Sequence, residues 1–269
     1  MDFYQQAILG IVQGIFEWIP VSSEGVLLLI SSNFFHNSNI ELFIRQALIL
    51  HLGTFFAALV YFRKDIKELV KCLFHYRKSD TETKRMFNFL FIATLISGIL
   101  GLAILNLFEL ANIKEIPFTS TYVNIFIGFL LIVTGTLQVK ASSAGYRGIL
   151  HLNNTDGIFL GFMQGFAALP GLSRSGLTVS GLLFRNFNET TALRLSFIMS
   201  LPIVLAGNIF LNLSDIVFVK EMFYAMIFSF IFGLLTIHAL MGFSKKVKFG
   251  FFVIVFGILM ILAGIVGFF

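Results

Sequence analysis

Charge is scarce in this chain. Of its 269 residues, 12% are Asp, Glu, Lys or Arg, about half the ~25% usual for a soluble domain. There is a single cysteine, Cys72, so neither an intramolecular disulfide nor a cysteine metal cluster can form. No P-loop, no H-E-x-x-H and no G-x-S-x-G occurs, so the usual soluble enzyme sites are absent. The opening "MDFYQQAILG" has no positive n-region and no small-residue cleavage site, so no cleavable signal is expected. What remains is apolar: 57% of residues are hydrophobic and the mean hydropathy is +0.91. Several runs reach the ~20 residues that cross a bilayer. The composition therefore describes an all-α, multi-pass membrane protein. Its net charge of +5 does not call for nucleic acid, because Lys and Arg gather in the cytoplasmic loops of membrane proteins.

Six full spans are expected at roughly 40–62, 87–107, 121–139, 190–212, 222–242 and 249–268. Two further apolar stretches, 3–31 and 156–186, are broken in the middle by Pro, Gly and Ser. Loop charge sets the orientation. Segment 63–85 holds eight Lys/Arg, 244–248 holds three, and 140–155 holds Lys140 and Arg147. Segment 32–39 holds none, and 108–120 and 213–221 hold only Lys114 and Lys220. The first three segments are expected inside and the others outside. Six spans fit this alternation only if 3–31 enters and leaves on the outer side and 156–186 on the inner side. Both broken stretches are then expected to be re-entrant helical hairpins.

The two stretches also resemble each other. Leu9, Gly10, Gln13 and Gly14 match Leu160, Gly161, Gln164 and Gly165 at an offset of 151. Pro20 matches Pro170, and after a gap Ser22 and Gly25 match Ser173 and Gly176. The chain has four prolines and two of them fall at this shared position, which argues for duplication. Three spans follow each copy, so the second is flipped. The expectation is an inverted-topology repeat within one membrane domain, 1–139 and 140–269, with a site near the midplane where the broken helices meet.

The tips carry the chemistry. Ionisable groups at membrane depth are costly and need partners; Glu17 is paired here with Arg174. The plainer reading is an ion pair that only holds the tips in place. Around Arg174, "PGLSRSGLT" offers a guanidinium fork suited to phosphate oxygens and the hydroxyls of Ser173, Ser175 and Thr178. Gly171 and Gly176 let backbone approach a ligand, and a helix starting just beyond the tip would aim free amides at an anion. Together these form an anion cradle, best suited to phosphate. On the other tip, Glu17 can bind a divalent cation, Mg²⁺ or Ca²⁺, or handle a proton. Gln13, one turn earlier on the same face, can coordinate or orient. Ser23 is a candidate nucleophile or a donor to a phosphoryl oxygen, with Ser22 beside it.

With those residues in view, "QGIFEWIPVSSEG" (13–25) resembles the first signature of the undecaprenyl-pyrophosphate phosphatases, the bacitracin-resistance family. "PGLSRSGLT" fits the second, P-G-x-S-R-S-x-x-T, at every fixed position, and "LHLGTFFAALVYFRKDI" (50–66) resembles a third stretch. The resemblance covers nearly the whole chain. It implies an integral enzyme of the cell (plasma) membrane that removes the terminal phosphate of a polyprenyl diphosphate, needs a divalent cation and opens to the outer face. It places Gln13 and Glu17 at the acidic-pair positions, Ser23 at the proposed nucleophile, and Ser173 and Arg174 at phosphate. Many members read S-S-T-G-H, with a catalytic histidine, where this chain reads "SSEGV". Val26 cannot transfer a proton. Glu24 is the first candidate to replace that histidine, though it could be a rim residue facing water, and His51 is the second. Trp18 is expected to pack against neighbours or an isoprenoid tail. Expected partners are the polyprenyl diphosphate and the bilayer, with a homodimer allowed. The competing function is a transporter or flippase for a phosphorylated lipid or anion, since inverted repeats with broken helices are also transporter architecture.

Overall fold

The structure is a computed structural model, and it describes residues 3–35, 40–110, 120–141, 145–169, 172–212, 220–243 and 249–266. Among these residues every regular element is helical: α1 Phe3–Phe16, α2 Ser23–Asn33, α3 Ile40–Tyr61, α4 Arg63–Phe74, α5 Thr81–Leu110, α6 Ser120–Ala141, α7 Asn154–Phe166, α8 Arg174–Phe184, α9 Glu189–Asn212, α10 Lys220–Phe243 and α11 Phe249–Val266. Within α5, α9 and α10, the segments Thr81–Leu107, Glu189–Ile209 and Met222–Gly242 are long and apolar enough to cross a bilayer. Helix α3 turns by 85° into α4, and α6 and α11 contribute the shorter apolar segments Ile125–Ala141 and Val253–Leu262. Pro202 lies inside α9.

Both broken stretches are pairs of short helices. α1 has 14 residues and α2 has 11; α7 has 13 and α8 has 11. At 1.5 Å per residue the longest reaches about 21 Å, short of the ~30 Å hydrocarbon core. The two pairs are built alike. Ser22 and Ser173 cap α2 and α8 with nearly the same backbone angles (φ −70, ψ 105 and φ −69, ψ 114). Each seryl oxygen accepts from the amide three residues on, Gly25 and Gly176.

The glycines matched in the sequence do matched work. Gly10 and Gly14 let α1 lie against α10, where a Cβ would strike the backbone at Ala225, Ser229 and Gly233. Gly161 and Gly165 let α7 lie against α5, where a Cβ would strike Ile96 and Leu100. α6 runs along α11 through Gly128, Gly135, Gly250 and Gly257. Without a hydrophobic drive between helices in lipid, such small-residue seams supply the contact. The largest core cluster gathers Trp18, Phe62, Phe89, Leu160, Leu182, Phe187 and Phe197 from the helices around the second pair.

Two details differ from the expected boundaries. α5 begins at Thr81, six residues before the expected 87, because Asp80 accepts from Thr83 N (2.9 Å) and Thr83 Oγ1 (2.7 Å) and starts the helix inside the charged segment. Those bonds also hold the exposed Asp80 carboxyl below its ordinary range. The basic stretch 63–85 is accordingly helix α4, a 3-10 turn at Tyr76–Lys78 and the first turn of α5, with little loop in it.

On the same side of the molecule, Asp156 is fully buried. It closes a capping box with Asn153 at the start of α7, receives both Arg147 Nη1 (3.1 Å) and Nη2 (2.6 Å), and receives Arg185 Nε (2.7 Å) from the end of α8. One carboxylate thus clamps the open end of the second helix pair.

Candidate active site

The tips of the two helix pairs touch. Ser175 Oγ donates to the Ile19 carbonyl at 3.1 Å, and Gln138 Nε2 of α6 donates to the Pro20 carbonyl at 2.8 Å. These bonds fix a segment with no helical hydrogen bonds of its own. The first residues of α2 and α8, Ser23 and Arg174, both meet Glu17. The first amides of a helix lack internal partners and carry a partial positive charge, so each end attracts an anion.

Glu17 sits at the junction, 6% exposed. Its Oε1 accepts from Arg174 Nη2. Its Oε2 accepts from Gln13 Nε2 (2.9 Å) and from Ser23 Oγ (2.9 Å), and lies 3.3 Å from His51 Nε2. His51 Nδ1 is 2.6 Å from the Ala47 carbonyl. A carbonyl only accepts, so Nδ1 carries a proton, and the contact between Nε2 and the carboxylate then requires one more proton between them. Glu17 is therefore set against a hydroxyl it can deprotonate, a guanidinium that holds its charge, and an imidazole with which it shares a proton. Arg174 Nη1 is buried and has no partner, leaving one arm of its fork for a ligand.

A cavity of about 300 Å³ opens beside this cluster. Glu17, Ser22, Ser23, Glu24, His51, Ser173, Arg174 and Ser175 line its polar end. Glu24 is exposed to it from the first turn of α2. Not every residue singled out in the sequence reaches it. Thr178 is fully buried one turn along α8, where it bonds to the Arg174 carbonyl (2.8 Å) and to Ser196 Oγ (2.6 Å). It ties α8 to α9 and does not line the cavity. Gly176 is packed against Thr134 and Gln138 of α6. Ser173 serves first as a helix cap. Gly171 lies outside the described residues. Val26 is 5% exposed and packs in an apolar cluster with Ile127, Leu131 and Val253, outside the cavity lining. Trp18 packs edge-on against Phe197 at 4.9 Å and is buried in the core.

Other polar residues reach the cavity that the sequence did not single out as a site. Gln164 donates to Ser97 Oγ at 3.0 Å; Asn208 joins them on the wall, and the side-chain oxygens of Gln164 and Asn208 are buried without partners. Gln164 could have been found, because it is the repeat partner of Gln13. Position 168, opposite Glu17 in the repeat, is Ala, so Gln164 turns to Ser97 instead of to a carboxylate. Among the described residues no three His, Cys, Asp or Glu side chains could together hold a metal. Of the oxygen donors, Glu17 and Glu24 line the cavity, which suits a hard cation that takes its remaining ligands from phosphate; Gln13 is fully buried outside the lining, its Oε1 unpartnered.

Comparison with known proteins shows the family. The family model of the bacitracin resistance protein BacA matches residues 6–266. A protein of Methanococcoides burtonii named undecaprenyl-diphosphatase is 42% identical over 266 residues, spanning 97% of this chain and 98% of its own. Proteins of the same name from Haloarcula marismortui (35% identical, 96% of each chain) and Alkaliphilus metalliredigens (32%, 94% of each) match over similar lengths.

Proposed function

This chain belongs to the bacitracin resistance protein BacA family, and from that premise we propose that it is a membrane phosphatase. It hydrolyses undecaprenyl diphosphate to the monophosphate carrier and inorganic phosphate. The observation that carries the reading is Glu17 held between Ser23 Oγ and Arg174, at the reach a nucleophile and its base require. The terminal phosphate sits against Arg174 and the two helix N-termini. Ser23 Oγ attacks the terminal phosphorus while Glu17 takes its proton. The bond from that phosphorus to the bridging oxygen breaks, and the prenyl monophosphate leaves with the electron pair. Water then cleaves the phosphoserine: one of its protons restores Ser23, the other stays on phosphate, and the proton held at Glu17 is released to the cavity. His51 steadies the carboxylate and shares its proton, the role that Val26 cannot fill. Phosphoryl transfer needs mainly such positioning and charge neutralisation. A divalent cation held by Glu24 and Glu17 together with the diphosphate would neutralise phosphate charge, with Gln13 orienting Glu17 from behind.

The same reading extends to the membrane. α3, α5, α6, α9, α10 and α11 are taken as six spans, and the pairs α1–α2 and α7–α8 as re-entrant hairpins from opposite faces of the cell membrane. Domain halves 1–139 and 140–269 are then an inverted repeat. The matched caps at Ser22 and Ser173 and the reciprocal packing of α1 on α10 and α7 on α5 support it. Loop charge turns the cavity to the outer side.

The test is phosphate release from farnesyl diphosphate by purified protein in detergent with Mg²⁺ or Ca²⁺. Glu17→Ala and Arg174→Ala are each expected to lower kcat by roughly a thousandfold, the scale for removing one preorganised electrostatic partner. A wild type that releases none, yet moves labelled prenyl phosphate across liposomes, would replace the phosphatase with the flippase.

A further inference from the structure

The headgroup cluster occupies only one end of the cavity. Its other arm is apolar and runs between α5 and α9, along Gly98, Gly101, Leu102 and Leu105 on one side and Ile203, Val204, Ala206 and Gly207 on the other. From Gly98 to Leu105 the arm follows about 10 Å of helix. Leu102 and Leu105 of this lining are exposed, and so is Leu205 beside it on α9, so the arm is open between the two helices.

The glycines here do the opposite of those in the other seams. On α3, a Cβ at Gly53 would overlap the Met226 carbonyl and Ser229 of α10, and Gly233 of α10 faces Ala57 and Thr54: that seam is closed. The pseudo-equivalent pair, α9 and α5, meets over a much shorter length. At Gly98 and Gly207 a Cβ would meet nothing within 4 Å, and at Gly101 its nearest neighbour is Ala168 Cβ at 3.7 Å. Glycines that permit no contact hold space open. A second, independent sign of a ligand lies where this arm joins the headgroup end. The oxygens of Gln164 (3% exposed) and Asn208 (9% exposed) are buried on the cavity wall with no partner, an arrangement that costs free energy unless a hydrogen-bond donor enters.

Resting on the phosphatase reading, we propose that the prenyl chain leaves the headgroup site sideways through a slot between α5 and α9, kept open by Gly98, Gly101 and Gly207. A cavity of about 300 Å³ holds a diphosphate and the first isoprene units, while the rest of the chain lies in the bilayer. The unpartnered side-chain oxygens of Gln164 and Asn208 stand on this wall as acceptors, for a water or a protonated phosphate oxygen.

Gly98→Leu and Gly207→Leu fill the slot and have room to fold. Each is expected to raise KM for farnesyl diphosphate about tenfold or more with kcat within about threefold, a loss of binding rather than chemistry. Gly242→Leu, an equally open glycine on α10 remote from the cavity, is expected to change neither. KM within about twofold of wild type for both slot variants would overturn the proposal. A farnesyl diphosphate analogue with a diazirine on its first isoprene unit gives the second readout, in wild-type protein. Adducts at 98–105 and 203–207 support the slot, and adducts confined to other helices refute it. This labelling reads the tail path even if no phosphate is released, so failure of the slot and failure of the phosphatase are told apart.

Discussion

Glu17 accepts from Gln13, Ser23 and Arg174 and faces His51, and each partner makes a separate claim. A buried guanidinium stripped of its carboxylate is worse than no pair at all, by about 3–5 kcal/mol. Glu17→Ala is therefore expected to lower the melting temperature more than Glu17→Ala/Arg174→Ala does, a comparison that thermal unfolding in detergent decides. His51 touches the Glu17 carboxylate, whereas Glu24 stands at the open face of the cavity. His51→Gln is thus expected to cut kcat by about a hundredfold, the scale of a lost proton-transfer partner, and Glu24→Gln to cut it less. Steady-state kinetics with the order reversed would hand the histidine's role to Glu24. At this scale the sequence revealed the pairing of Glu17 with Arg174, because charge inside an apolar stretch has few reasons to exist. It did not separate Thr178 from the cavity. A motif read as a string hides that the residue one turn along the helix is buried under Ser196. Ser97, Gln138 and Asn208 sit singly in long apolar runs, with no local pattern to mark them.

Among the elements, the short helices depend on what clamps their ends. Asp156 joins the start of α7 to the end of α8 through Arg147 and Arg185. Asp156→Asn leaves two cations facing a neutral amide in a buried place, and about 3 kcal/mol or more of stability should be lost. The melting temperature is expected to fall by several degrees while KM for the diphosphate stays near that of wild type, since the clamp lies at the far end of the pair from the tip. An unchanged melting temperature would show the clamp to be ornamental. Helix identity was legible from apolar run length and broken stretches from Pro, Gly and Ser. The start of α5 was not, because Asp80 and Thr83 begin the helix among charges that a hydropathy reading assigns to a loop.

For the whole molecule, orientation follows from where Lys and Arg accumulate. Single cysteines placed at Arg77 and Tyr146, both exposed, are expected to react with a membrane-impermeant maleimide only from the cytoplasmic side, and one at Phe34 only from outside; the native Cys72 is buried. Labelling of all three from one side would break the inverted repeat. The likeness of the two broken stretches was readable from Gly10, Gln13, Gly14 and Pro20 against their partners. Its departure from symmetry was not: α3 closes on α10 while α9 stands off α5, and that depends on contacts between helices far apart in the chain. The claim beneath all of this is that two helix tips from opposite halves meet around one phosphate. An experimental structure with a non-hydrolysable prenyl methylenediphosphonate tests it most directly. The expected result is a terminal phosphonate within hydrogen-bond reach of Arg174 and Ser23, with Glu17 between them. A headgroup bound elsewhere, or Glu17 and Arg174 held apart, would contradict it.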